Sequence, residues 1–215
     1  MSVVPETEIS LNRSLHESDN NFGNRANAAG FATRLPLAIQ RLFAIGACNS
    51  FLDYGTGKGK LVQRLRDELP SSIQVDGYDP AVDEWSIKPS GKTYDLVCSF
   101  DVLEHIEPSS IESVVSDLSS YTSGICYVVI DLQPAVKHIS DGRNAHILLA
   151  PVDWWNSLFS RHFSCNLSFV IPHSSGHPQK LVILSTNKLK KLPFLSMLVH
   201  KLKLSELVMY GGTLG

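Results

Sequence analysis

The sequence predicts one doubly wound α/β domain on a mostly parallel sheet, closed by a C-terminal antiparallel hairpin. Three observations predict it. Short apolar runs alternate with helical stretches from Ser50 to Phe159, the signature of βαβ units. The first run ends in a glycine-rich turn that opens a helix. The chain has 215 residues, 43% of them hydrophobic, which suits a single core with a modest extension.

Residues 1 to about 24 are polar, with Ser18, Asp19, Asn20 and Asn21 crowded together, and read as a loose arm or a cap. From Arg25 to Ala47, Ala28, Ala32, Leu35, Ile39 and Leu42 recur at helical spacing, with Pro36 as a break. Strands are expected at Ser50–Tyr54, Ile73–Tyr78, Tyr94–Phe100 and Ile125–Leu132. The last is almost continuously apolar, as a strand covered on both faces should be. Helices are expected at Lys60–Leu69, Ser109–Tyr121 and Val152–Phe159. Two further strands, Asn166–Ile171 and Leu181–Thr186, are separated only by a polar turn and read as a hairpin at the sheet's edge. These elements divide the chain into an arm with cap helices (1–49), the ligand-binding domain (50–187) and a basic extension (188–215).

A net charge of −2 gives no global positive field, so nucleic acid is not an expected partner. Cys48, Cys98, Cys126 and Cys165 form no C-x-x-C pair and read as buried, reduced thiols. No secretory leader and no membrane-length apolar run is visible, so a cytoplasmic setting is the expectation. The stretch from Lys180 to Lys203 carries lysines and no acid. It reads as a C-terminal helix with solvated lysines, the alternative being a weak surface or partner contact.

The chemistry concentrates in Phe51-Leu-Asp53-Tyr-Gly55-Thr56-Gly57-Lys-Gly59. Glycines at a strand-to-helix turn let a ligand approach the backbone, and the following helix aims unpaired N–H groups at an anion. Twenty-two residues past Gly57 the next strand ends in Asp79-Pro80, where a carboxylate can accept both hydroxyls of a ribose. Two ligands suit that order: a dinucleotide or S-adenosylmethionine. The spacing here is G-x-G-x-G, with Lys60 where a dinucleotide site expects its third glycine.

Leu52-Asp53-Tyr-Gly-Thr-Gly-Lys-Gly59, Asp79 and Tyr94-Asp-Leu-Val-Cys-Ser-Phe-Asp-Val-Leu-Glu-His-Ile106 together resemble the class I S-adenosylmethionine-dependent methyltransferases, a Rossmann-like family. The Val-Leu-Glu-His segment is most similar to the small-molecule branch. The resemblance covers about residues 50–135. It implies that Asp53, Gly55, Thr56, Gly57 and Gly59 hold the methionine end of the cofactor and that Asp79 and Pro80 meet the ribose. Ser99, Phe100 and Asp101 would lie beside the methyl group, with Glu104-His105 closing that wall. The stretch between Asp79 and Asp95 is too short for the family's usual third strand and helix, so the third-strand region should be shortened, with Trp85 a candidate to pack on the base.

An O–H or N–H acceptor benefits from a general base. His105, His138 and His146 are the candidates. The last two flank Asp141-Gly-Arg-Asn144, in a loop past the end of the fourth strand, where ligands of open α/β sheets sit. The segment from Lys137 to Ala150 and the arm would build a pocket for a small-molecule acceptor. No metal ligands are expected: Gly176 and Pro178 deny His173 and His177 a helix. The competing readings are a methyltransferase-like module that binds without turnover and a nicotinamide-dependent oxidoreductase.

Overall fold

The computed structural model of the chain describes residues 2–18, 22–23, 35–204 and 208–214. Its elements are α1 (Glu6–Ser18), α2 (Leu35–Ala44), β1 (Ser50–Tyr54), α3 (Lys60–Glu68), β2 (Gln74–Tyr78), β3 (Tyr94–Phe100), α4 (Ile111–Tyr121), β4 (Thr122–Asp131), α5 (Val152–Ser160), β5 (Cys165–Pro172), β6 (Pro178–Thr186), α6 (Leu192–Lys201) and β7 (Val208–Leu214). The helical pattern expected from Arg25 survives as α2; its first part, with Ala28 and Ala32, lies outside the described residues, as do Asp19, Asn20, Asn21 and Asn24.

The seven strands form one sheet in the order β2-β1-β3-β4-β6-β5-β7. β1 pairs in parallel with β2 and β3, and β3 with β4. β6 runs antiparallel to β4 and β5, and β7 antiparallel to β5, so five of the seven strands point one way. Strand order reverses at β1, and the crevice at that switch point is where a doubly wound sheet binds ligands. The hairpin of β5 and β6 forms as expected but is not the sheet's edge: β6 inserts beside β4, and β7 covers β5.

Helices cover both faces. α4 and α5 pack on one side with Val97, Val128 and Trp155 in the core. α2, α3 and α6 pack on the other around Phe51, Leu96 and Tyr127. Leu195 and Leu198 bury one side of α6, so the lysine-rich tail supplies a core-facing helix and then an edge strand. Between β2 and β3 there is a single 3-10 turn, Asp83–Trp85, in place of a strand and helix. All four cysteines are buried and free, and burial pushes the Cys98 and Cys126 thiols well up. No helix among the described residues is long and apolar enough to cross a membrane.

The arm is helical where it is described. Glu6 and Glu8 favour the N-terminal end of α1 through its dipole, and Ile9 and Leu15 turn inward. Glu8, only 3% exposed, accepts from the Glu107 N–H and the Ser110 hydroxyl, both at 2.8 Å. That contact ties α1 over the carboxyl ends of β1 and β3.

Candidate active site

The turn after β1 is pinned to the end of β2. Gly55 and Thr56 donate backbone N–H groups to the Tyr78 carbonyl at 2.7 and 3.1 Å. Gly55, Gly57 and Gly59 all adopt left-handed φ, at 79°, 55° and 68°, which L side chains rarely adopt. Asp53, 4% exposed, accepts from the Thr56 hydroxyl at 2.8 Å and stiffens the turn from below. Asp79 faces the turn: its carboxylate accepts from the Gly57 N–H at 2.8 Å and the Ala81 N–H at 2.9 Å. Gly55, Asp79 and Pro80 therefore meet in one crevice, with Ala81 and Val102 on its walls.

The crevice is roofed by the chain's own N-terminal segment. A Cβ on Gly57 would lie 2.6 Å from the Gly23 carbonyl oxygen, and that carbonyl accepts from the Lys58 N–H at 3.1 Å. Ile9, Asn12, His16 and Phe22 complete the cover, leaving a cavity of about 60 Å³. Two waters fill such a space, whereas small-molecule sites run to about 300–1,000 Å³. The residues fit a nucleoside carrying an amino-acid tail: a backbone cradle that a Cβ would fill and a carboxylate at ribose position. The volume does not, because Phe22 and Gly23 occupy part of the space such a ligand needs.

Trp85 does not line this crevice. Its ring covers Gly59 and Gly77, with the Arg66 guanidinium 5.7 Å over the ring centroid. Ser99 is fully buried, Phe100 packs edge-on against Tyr127, and neither reaches the cavity. Asp101, at φ 51°, opens instead into a second chamber.

That chamber, of about 390 Å³, lies past the ends of β3 and β4 and is lined by Asp101, His105, Asp131, Lys137 and His146. Lys180 bridges Asp101 and Asp131 at 2.7 and 3.1 Å. Burial alone would lower the Lys180 ammonium's pKa, but the two carboxylates outweigh it and the net shift is upward. Phe22 and His105 line both chambers and touch edge-on at 5.4 Å, so they form a partition between them.

A 3-10 turn, Leu103–His105, sets His105 into this wall and buries Glu104 behind it. Nδ1 of His105 bonds the Ala145 carbonyl at 2.7 Å, and Nδ1 of His146 bonds the Gln133 carbonyl. The two rings meet edge-on at 4.9 Å. Sequence spacing gave no hint that Glu104, His105 and His146 gather; only the loop from Gln133 to Leu148 folding back over the turn brings them together. His138 instead forms a bridge with Asn144 and is not part of either chamber's lining.

The methyltransferase-domain family model matches residues 27–167. No curated protein matches the sequence. Among solved structures, the 1,6-didemethyltoxoflavin-N1-methyltransferase of Burkholderia thailandensis, with bound 1,6-didemethyltoxoflavin and S-adenosylhomocysteine, superposes with a TM-score of 0.60 at 15% identity. That match covers 85% of this chain and 89% of that one. DesVI of Streptomyces venezuelae gives 0.53 at 11% identity, covering 77% and 94%. The sugar N-methyltransferase KedS8 of a Streptoalloteichus species gives 0.51 at 11%, covering 79% and 91%. At these identities the likeness shows the fold.

Proposed function

The chain belongs to the methyltransferase-domain family, the S-adenosylmethionine-dependent enzymes its motifs resemble, and on that premise we propose a division of labour between the two chambers. The roofed crevice takes the methyl donor and the outer chamber takes a small-molecule acceptor. The observation that carries this reading is the Asp79 carboxylate facing Gly57 at the switch point of the sheet. In that place the glycine turn receives the methionine portion and Asp79 the ribose, while Pro80 and Ala81 offer an apolar edge to the base.

S-adenosylmethionine supplies an already electrophilic methyl group, so the protein's part is alignment and exclusion of water. His105 borders both chambers, so donor and acceptor meet beside it once Phe22 lifts, and Glu8 holds α1 down as the lid. Of the three candidate histidines, His105 and His146 border the acceptor, where an imidazole can align it or take its proton; His138 does not. Asp101 and Asp131, held by Lys180, add polar contacts for an acceptor's hydroxyl or amine groups.

Titration calorimetry tests the donor half: S-adenosylmethionine and S-adenosylhomocysteine bind, and NAD does not compete. Formation of S-adenosylhomocysteine across a panel of hydroxylated and amino metabolites tests the acceptor half. Preference for NAD over both adenosyl ligands would overturn the assignment.

A further inference from the structure

We propose that Glu104, His105 and His146 form a binding site for one divalent transition-metal ion of the zinc class, at the acceptor chamber. One donor atom from each of the three lies within 4.8 Å of the other two. A carbonyl oxygen only accepts, so the Ala145 and Gln133 carbonyls put a proton on Nδ1 of each ring, which leaves Nε2 as the atom that can ligate. Metal-ligating histidines are oriented in this way, the second nitrogen donating to a carbonyl or carboxylate. Glu104 is fully buried, and its carboxylate accepts from the Asp131 N–H at 3.0 Å, which fixes one oxygen and orients the other.

Two imidazoles and one carboxylate are a ligand set for zinc-type ions rather than for magnesium or calcium, which take oxygen. Tetrahedral coordination at about 2.0–2.1 Å needs donors roughly 3.3 Å apart, so the three side chains draw together by an ångström or so on binding. Three protein ligands leave the fourth position open, toward the chamber that Asp101 and Asp131 line. An acceptor hydroxyl bound there loses its proton to solvent, because the ion lowers its pKa. The oxygen lone pair then forms the O–CH₃ bond as the C–S pair returns to sulfur, leaving a methyl ether and the neutral thioether S-adenosylhomocysteine. The acceptor is thus an oxygen nucleophile able to ligate a metal. This role rests on the methyltransferase reading; the ion's binding does not.

The test uses the full chain, stripped with a chelator and titrated separately with Zn(II) and Co(II). Elemental analysis should give one ion per chain, and Co(II) should show the visible bands of a tetrahedral nitrogen–oxygen site. His146→Ala should weaken binding more than about 100-fold, beyond the 10–100-fold expected of an outer-sphere residue. Glu104→Gln should do the same if it folds, and His138→Ala should bind like wild type. An ion retained by His146→Ala at wild-type affinity overturns the proposal, as does a stripped wild-type protein that takes up neither metal. S-adenosylmethionine binding, measured in the same samples, separates failure of this site from failure of the methyltransferase reading.

Discussion

The crevice at the glycine turn and the chamber past β3 and β4, proposed for donor and acceptor, share a wall but are built differently. The floor of the crevice comes from one short stretch, Asp53 to Ala81, and its groups are mostly backbone: three left-handed glycines and the amides of Gly57 and Ala81 closed by Asp79. The chamber is assembled from side chains of the turn after β3 and of the loop after β4, joined by Lys180 from β6. A site built from backbone is rigid and indifferent to the acceptor; one built from loop side chains can be remodelled without disturbing the sheet. The contrast predicts that damage to one chamber should leave the other's binding intact.

Gly57→Arg should break the donor side most severely. The side chain would enter the space above the turn that the methionine portion is proposed to take, so calorimetry should show adenosyl-ligand affinity reduced by about 100-fold or more. On the acceptor side, His146→Ala should lower turnover about 100-fold while the dissociation constant for S-adenosylmethionine stays within about twofold. A matching loss of donor affinity would show that the two chambers are not separable. Asp79→Asn keeps the shape but removes the charge shared by the Gly57 and Ala81 amides. Donor affinity should fall about tenfold, with a lowered melting temperature from the weakened turn.

The smallest effect concerns the lid. Burial raises the Glu8 carboxyl above its ordinary value, against the two hydrogen bonds that lower it. The folded, docked state therefore binds the proton more tightly than the open one. Docking is favoured below the unfolded carboxylate pKa and weakens as pH rises through the raised value. Hydrogen exchange over residues 6–18, corrected for intrinsic rates, should show more protection near pH 5 than near pH 8, and Glu8→Gln should flatten the difference.

The same contrast explains what the sequence revealed. β1, β3 and α3 begin within a residue of where their patterns place them, because each is a local apolar run bounded by turn residues or by the glycine turn. The glycine turn and Asp79 were legible for the same reason: the chemistry is written in adjacent residues. The metal-ligand set was not, because Glu104 and His146 meet only through the loop's return over the 3-10 turn. Nor was β7, whose pairing with β5 joins residues about forty or more apart in the chain. α1 read as a loose arm because most of its residues are polar. Its place is fixed by Ile9 and Leu15 turned inward and by a buried carboxylate reaching Glu107 and Ser110, a contact no local pattern encodes.

The Gly23 carbonyl on the Lys58 amide has a last consequence. On the proposed reading the chain carries its own stand-in for the donor's carboxylate, whose arrival would exchange one oxygen for another at that nitrogen. The amide would then stay bonded between occupants, and the reverse exchange would return the Gly23 carbonyl to it as the thioether leaves.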